Sequence, residues 1–199
     1  TDINGDEEYL GVYLPYGYDP DRAKPYKTLY LSHGGGGDET DWFHMGSANN
    51  IMDNFIAQGI TPETVIVTMD NSHYEWKFKQ IVPNIAERVV PFIEAHYNVS
   101  REAKNRAMCG LSMGGQTTTN VFWKYPRLFG YLGIFSGTNA DTQRLMLPAY
   151  NDPKVMTIVG TTDFASKKFA GDGADMFAAY SGEGGHFTIE TLAAWCESN

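Results

Sequence analysis

The residues Gly110-Leu111-Ser112-Met113-Gly114 form a Gly-x-Ser-x-Gly motif, and this motif constrains the fold more than any other stretch of the chain. A short apolar run leads into it, and a helix-compatible stretch leads out of it. A turn this tight between a strand and a helix strains the backbone of the serine and lifts its hydroxyl above the sheet. Side chains two residues before and two residues after the serine would collide, which explains the two glycines. The motif therefore predicts that Ser112 is an exposed nucleophile.

The rest of the chain must support this prediction, because roughly one chain of this length in fifteen contains the motif by chance. Alternating apolar segments predict strands at Tyr9–Pro15, Thr28–Ser32, Thr64–Met69, Asn105–Cys109, Tyr131–Phe135 and Val155–Val159, and helices at Ala48–Gln58, Ile81–Tyr97, Gln116–Tyr125 and Thr188–Glu197. This alternation is typical of a mainly parallel sheet flanked by helices on both faces. With the motif, it predicts an α/β-hydrolase fold in one catalytic domain, residues 1–199. Little sequence separates the last strand from the last helix, so we expect a small variant with a contracted last crossover.

Bulk properties exclude several classes of partner. The net charge of −9 makes nucleic acid and anionic membrane surfaces improbable partners. The sequence has no apolar run long enough to span a membrane. His33, Asp38 and Asp41 match no known metal-ligand spacing, and no phosphate loop or dinucleotide fingerprint occurs. We therefore expect no metal and no cofactor.

A nucleophilic serine needs a base and an acid, and in this fold they follow it in the order acid, then histidine. His186, in a glycine-rich loop, is the only histidine after Ser112 and is therefore the predicted base. Asp163 is the predicted acid, since it follows a strand at the edge where sites form in open α/β sheets. Asp172 and Asp175 remain alternatives.

The oxyanion of the tetrahedral intermediate needs two hydrogen-bond donors. We predict the backbone N–H of Met113, at the start of the elbow helix, as one donor. The second should come from the glycines that follow His33, and we choose Gly35, with Gly34 or Gly36 as alternatives. His33 itself is predicted to hold this loop in place.

Several aromatic residues follow predicted strands on the edge that carries Ser112. A planar acyl ring could stack on one of them, although packing within the loops explains each of them equally well. The predicted substrate-binding residues are Trp42, Tyr74 and Trp76.

Together these segments resemble the feruloyl esterase and acetyl xylan esterase family, which consists of esterase-D-like α/β-hydrolases of the carbohydrate esterase family 1 type. The resemblance covers nearly the whole chain from about Leu10, and its most specific part is the His-Gly run that ends in Asp41-Trp42-Phe43. The matching segments are Val12–Pro15, Gly17–Asp19, Leu29–Phe43, Gly110–Gly115, Gly160–Asp163 and Gly184–Phe187.

The resemblance implies a Ser112–His186–Asp163 triad and an acyl-enzyme mechanism on ester-linked ferulate, coumarate or acetate of xylan. It also implies a secreted enzyme that occurs as a module of larger cell-wall-degrading proteins. No signal peptide is visible and Thr1 is not Met, so we expect that the native start lies elsewhere. The chain departs from the family in its short N-terminus and in its short Asp163–His186 segment, which is a natural contraction, an engineered loop or an incomplete sequence.

Two other functions fit parts of the sequence. A short-chain esterase or S-formylglutathione-type thioesterase would share the fold and the elbow. A non-catalytic carbohydrate-binding relative with a degenerate site would explain the short segment before His186.

Overall fold

In the computed structural model of the chain, residues 1–74, 76–137 and 154–158 are described. The strands are β1 (Leu10–Tyr13), β2 (Lys27–Ser32), β3 (Thr64–Met69), β4 (Arg106–Leu111), β5 (Tyr131–Phe135) and β6 (Lys154–Ile158). The α-helices are α1 (Asp41–His44), α2 (Ala48–Ala57), α3 (Phe78–Asn84), α4 (Val90–His96) and α5 (Met113–Lys124). One π-helical turn covers Ile85–Val89, and short 3₁₀ turns cover Ser72–Tyr74 and Ala103–Asn105.

The six strands form one sheet in the order β1-β3-β2-β4-β5-β6. β1 pairs antiparallel with β3, and all other pairs are parallel. Each predicted strand is present, and no described end differs from its prediction by more than two residues. The predicted mainly parallel α/β sheet is confirmed.

Two hydrophobic clusters cover the two faces of the sheet, which explains why β3 is apolar along its whole length. On one face, Val65 and Val67 of β3 pack with Ile81 of α3 and Val121 of α5. On the other face, Ile66 packs with residues of α1 and α2. The helices therefore lie on both sides, as predicted.

The parallel register brings the carboxyl ends of the central strands to one edge of the sheet. Ser32, the last residue of β2, pairs with Met69 of β3 and Gly110 of β4. The segments that begin at His33, Asp70 and Ser112 consequently start side by side. This edge is where sites form in open α/β sheets.

The long helix differs from its prediction in two respects. It begins at Phe78, three residues before the predicted start, so Pro83 lies inside α3 and not in the first turn. The π-helical turn Ile85–Val89 also interrupts the α-helix, and α4 follows directly, with Pro91, which lacks an N–H, at its second position. A wider turn absorbs the missing hydrogen bond, so the helical path continues.

Helix α2 begins at Ala48, as predicted. Ser47 precedes the helix, but it has a left-handed backbone with φ 50° and makes no side-chain capping bond. The short helix α1 was not predicted.

Within the described residues, no helix combines the length and apolar character needed to cross a membrane. The predicted helix Thr188–Glu197 and the contracted crossover lie outside these residues.

Candidate active site

Ser112 lies on the sharp turn between β4 and α5. Its backbone has φ 53° and ψ −111°, a region that non-glycine residues rarely occupy. Its N–H donates to the carbonyl oxygen of Phe135 at 2.8 Å, and its own carbonyl accepts from the N–H of Gln116 at 3.1 Å. The neighbouring strand and the elbow helix thus fix the strained serine from both sides.

The glycines around Ser112 are required by backbone-to-backbone packing. A Cβ on Gly110 would overlap the backbone of Gly114, and a Cβ on Gly114 would overlap the carbonyl oxygen of Ser32. A Cβ on Gly137, just after β5, would likewise overlap the carbonyl oxygen of Ser112. The motif predicted the first two glycines, but Gly137 depends on the pairing of β4 with β5 and could not be found from the local pattern.

The glycine run after β2 forms a turn beside the nucleophile. Gly37 N–H donates to the carbonyl of Gly34 at 3.2 Å, and Gly36 has φ +82°, which together are the features of a type II turn. A Cβ on Gly34 would lie 3.7 Å from Cβ of Ser112. The run is therefore adjacent to the serine, where an oxyanion donor is needed.

His33 is buried beneath this turn. Its Nδ1 lies 2.6 Å from the carbonyl oxygen of Gly34, and its Nε2 accepts from the N–H of Asn71 at 2.9 Å. These partners assign the neutral Nδ1–H tautomer, because Nε2 acts as an acceptor. The imidazole joins the loop after β2 to the loop after β3, which agrees with the predicted structural role.

Asn71 was missed by sequence reasoning. It is fully buried, and its Nδ2 donates to Oγ of Ser32 at 3.2 Å in addition to its backbone bond with His33. The available signal was its position as a polar residue just beyond the carboxyl end of an apolar strand. Asn71 and His33 are thus buried, hydrogen-bonded polar residues beneath the glycine run.

The glycine run is followed by two hydrogen bonds between Asp38 and Thr40, just before α1 begins. One carboxylate oxygen of Asp38 accepts from the hydroxyl of Thr40 at 2.7 Å and from its N–H at 2.8 Å. These bonds lower the pKa of Asp38, with the hydroxyl as the main cause. The run is thus anchored where it joins the helix.

Trp76 contacts the turn from the solvent side. A Cβ on Gly35 would lie 3.0 Å from Cζ2 of Trp76 and 3.6 Å from its Nε1. The side chain is 51% exposed, and its backbone has φ +34°. Trp76 therefore places an accessible aromatic ring next to the predicted oxyanion loop.

Trp42 lies on α1, where it is partly buried. Its ring is 6.2 Å from that of Phe135, and it packs on the hydrophobic cluster that contains Leu31 and Ile66. Its buried Nε1 has no hydrogen-bond partner among the described residues. Packing accounts for its position, and its predicted contact with substrate stays a prediction.

Tyr74 does not have the exposed side chain that a substrate contact requires, so that prediction is corrected. Its side chain is 1% exposed, and its hydroxyl donates to Oδ2 of Asp2 at 2.5 Å. The N-terminal segment covers it, and this long-range contact was not visible in the local sequence.

Met113 is the first residue of α5, so its N–H lies in the helical turn whose amides lack intrahelical acceptors.

Asp163 and His186 lie outside the described residues. Among residues 1–74, 76–137 and 154–158, no group of three or more His, Cys, Asp or Glu side chains is arranged to hold a metal ion.

Comparisons with known proteins show which family the chain resembles. A family model for esterases matches residues 3–154, well over half of the chain. Over 170 residues the chain is 36% identical to an endo-1,4-beta-xylanase/feruloyl esterase of Xylanibacter ruminicola, which covers 80% of this chain and 23% of the relative. It is also 35% identical over 132 residues to endo-1,4-beta-xylanase Y of Acetivibrio thermocellus, covering 61% of this chain and 12% of the relative.

A solved structure shares both the fold and part of the sequence. It is the feruloyl esterase module from Clostridium thermocellum, a serine-to-alanine mutant complexed with sinapinate. The TM-score is 0.65 at 27% identity, covering 82% of this chain and 68% of the module. The chain thus matches most of that module, whereas it spans less than a quarter of either curated relative.

Proposed function

This chain belongs to the Esterase family, and we propose that it is a serine carboxylesterase that removes feruloyl or acetyl groups from xylan. The observation that carries the proposal is the backbone of Ser112, with φ 53° and ψ −111° between β4 and α5. A strained serine at this position presents its hydroxyl above the sheet. The names of the relatives support the acyl group and the polysaccharide.

The proposed mechanism is acyl transfer through Ser112. Its Oγ attacks the ester carbonyl carbon while His186, oriented by Asp163, accepts the hydroxyl proton. The N–H groups of Gly35 and Met113 stabilise the oxyanion of the tetrahedral intermediate. The alcohol leaves with the proton from His186, and water then releases the acid from the acyl-enzyme by the same steps.

Trp76 and Trp42 are the proposed contacts for a planar acyl ring. Trp76 has the more exposed indole and lies directly on the glycine turn. An offset stack on an exposed indole adds affinity for a cinnamoyl group and little for an acetyl group. Tyr74 has no part in this proposal.

The location and the domain organisation of the enzyme are also proposals. The relatives are longer xylanases, which supports a single catalytic domain that acts as a module outside the cell. Neither relative is named for thioester hydrolysis, so these two relatives do not favour the thioesterase alternative.

The test is hydrolysis of methyl ferulate and acetylated xylan by the wild type and by Ser112→Ala. We expect the substitution to lower kcat by at least about 1,000-fold, since no other group can form the acyl-enzyme. Ser47→Ala is the matched control, because Ser47 shares the residue type and a positive φ but lies at the start of α2. Retained activity in Ser112→Ala, or loss of activity in Ser47→Ala alone, would refute the role of Ser112.

The same experiment separates the acyl groups and the classes of function. Turnover of methyl ferulate without acetate release from xylan assigns a feruloyl esterase, and the reverse assigns an acetyl esterase. A fluorophosphonate probe that fails to label wild-type Ser112 would instead indicate a non-catalytic relative.

A further inference from the structure

The glycine run after β2 needs restraint from outside itself. Four consecutive glycines, Gly34 to Gly37, have more backbone freedom than any other tetrapeptide, so ordering them has a large entropic cost. Gly35 and Gly36 are exposed, and no atom lies within 4 Å of a Cβ placed on Gly36. An oxyanion donor in such a loop is effective only if other groups fix its direction in advance.

The structure supplies one restraint below the turn and one above it. Below, buried His33 bonds to the carbonyl of Gly34. Above, the three atoms nearest to a Cβ on Gly35 all belong to the indole of Trp76, at 3.0, 3.5 and 3.6 Å. Trp76 is thus the side chain that limits the movement of Gly35.

The indole is itself held by the segment that leads into α3. Lys77 N–H donates to the carbonyl of Tyr74 at 3.0 Å, and Phe78 N–H donates to the carbonyl of Trp76 at 2.9 Å. The ring of Phe78 meets that of Trp76 edge to face, with centroids 6.2 Å apart, and Phe78 packs on the main hydrophobic core. A continuous series of contacts therefore links the core through Phe78 and Trp76 to Gly35.

The type of turn shows that packing of the Trp76 indole controls the orientation of the peptide between Gly35 and Gly36. Types I and II differ by a rotation of the peptide between the two central residues, here Gly35 and Gly36, which reverses the direction of the N–H of Gly36, the alternative oxyanion donor to Gly35. Because glycine adopts φ of either sign, the chain itself does not select the observed type II turn with Gly36 at φ +82°. Packing of the indole on Gly35 opposes this rotation.

We propose that Trp76 is a positioning residue for catalysis, and that its indole fixes the Gly34–Gly37 turn so that an N–H of this turn is directed at the oxyanion beside Ser112. This proposal rests on the proposed esterase function. It goes beyond a stacking role for Trp76, because it predicts an effect that is independent of the acyl group.

The first test compares Trp76→Ala with the wild type on methyl ferulate and methyl acetate, which share a leaving group. We expect kcat to fall by about 10- to 100-fold on both esters with similar factors, since a loosened oxyanion donor affects every acyl group. Trp76→Phe should recover part of the loss. An increase in KM for methyl ferulate alone, with kcat for methyl acetate unchanged, would overturn the proposal in favour of simple ring stacking.

The second test is a double-mutant cycle between Gly35→Ala and Trp76→Ala on methyl ferulate. The new Cβ at position 35 would contact Cζ2 of Trp76 at 3.0 Å, so Gly35→Ala should lower kcat/KM by several-fold in the wild-type background. In the Trp76→Ala background the same change should have little further effect. Equal effects in the two backgrounds would show that the contact does not control the turn.

A readout independent of activity keeps the proposal testable if the esterase function fails. In that case the wild type is inactive and Ser112 is not labelled by a fluorophosphonate, yet the backbone amides of Gly35 and Gly36 still report on the turn. Their ¹⁵N order parameters should fall in Trp76→Ala and not in Tyr16→Ala, which removes a 97% exposed ring. Unchanged order parameters in Trp76→Ala would overturn the proposal.

Discussion

Gly114 joins the nucleophile elbow to the neighbouring strand without space for a side chain. A Cβ at this position would overlap the carbonyl oxygen of Ser32 and lie 2.7 Å from that of His33. Both obstacles are backbone atoms, which cannot rotate away as a flexible side chain could. The start of α5 therefore packs backbone to backbone on the end of β2, directly behind Ser112.

Substitution Gly114→Ala should separate these two segments. We expect a loss of about 1–3 kcal/mol in the free energy of unfolding, as is typical of overpacking. We also expect kcat/KM for methyl ferulate to fall by about 100-fold, because Ser112 and the Met113 N–H move together with the helix. Denaturant unfolding and initial rates measure the two effects.

Gly17→Ala is the control for this substitution. Gly17 has φ +75°, but no atom lies within 4 Å of its Cβ position, so the change introduces backbone strain without a clash. Its expected cost is roughly 1–2 kcal/mol, with kcat/KM unchanged. If the two variants lost equal stability and both kept full activity, the packing explanation for Gly114 would be wrong.

Helix α5 contains three consecutive threonines, which is unusual because β-branched residues are poor helix formers. Thr117, Thr118 and Thr119 are completely buried. Their hydroxyls donate to the carbonyls of Met113, Gly114 and Gly115 at 2.9, 2.9 and 3.1 Å, respectively. The hydroxyls thus satisfy their hydrogen-bonding need within the helix, which lets a polar stretch pack against the sheet.

Replacement of Thr118 by valine should therefore be tolerated. Valine keeps the shape and removes one donor to a carbonyl that can also accept from the helix backbone, so we expect a change of less than about 1.5 kcal/mol in the free energy of unfolding. Thr118→Ala is the comparison, and it should lose more because it also leaves a cavity. Thermal unfolding gives both values, and a larger loss for valine than for alanine would contradict this account.

The elements that the sequence predicted well are those with strong local signals. The run Val65-Ile66-Val67 identified β3, and the two glycines of the elbow identified the turn at Ser112. The start of the long helix was predicted three residues too late, and Pro83 therefore lies inside α3, because a residue type suited to a helix start does not show that the helix starts there.

In the candidate site, the errors and omissions have a common cause. Tyr74 was predicted to contact substrate, but it is buried, and its hydroxyl bonds to Asp2, 72 residues away along the chain. Asn71 and Gly137 were missed because their roles depend on pairing between loops and strands that are distant in sequence. Local patterns predict the nucleophile, whereas its surroundings require the tertiary contacts.

The N-terminal segment is tied to the active-site side of the molecule through Asp2. This carboxylate is 1% exposed; one of its oxygens accepts from the hydroxyl of Tyr74 and lies 3.2 Å from Nε2 of His73. The N–H of Ile3 donates to Oδ1 of Asn84 on α3 at 2.9 Å. Since the segment from Tyr74 to α3 also carries Trp76, these bonds stabilise the region that supports the glycine turn.

The network around Asp2 makes stability depend on pH. Burial alone would raise the pKa of Asp2, but the hydrogen bonds from Tyr74, the Asp6 N–H and His73 together outweigh it and lower the pKa to about 2 from an ordinary value of 3.8. A carboxyl whose pKa is lower in the folded state stabilises the fold above its unfolded pKa, and this contribution is lost as the pH falls through the folded value. Glu8, whose pKa is raised mainly by burial, acts in the opposite direction.

Asp2→Asn should isolate the contribution of this carboxylate, because the effect of Glu8 is largely shared by the variant and the wild type. Near neutral pH we expect the variant to be less stable by about 1–3 kcal/mol, since buried groups lose hydrogen bonds to a charged acceptor. The difference should shrink as the pH is lowered from about 5 towards 2, where the wild type also loses the charge. Asp6→Asn, which changes an exposed carboxylate, should follow the wild type throughout. Denaturant unfolding at several pH values measures these differences, and a gap between Asp2→Asn and wild type that stays constant down to pH 2 would contradict the role of the Asp2 charge.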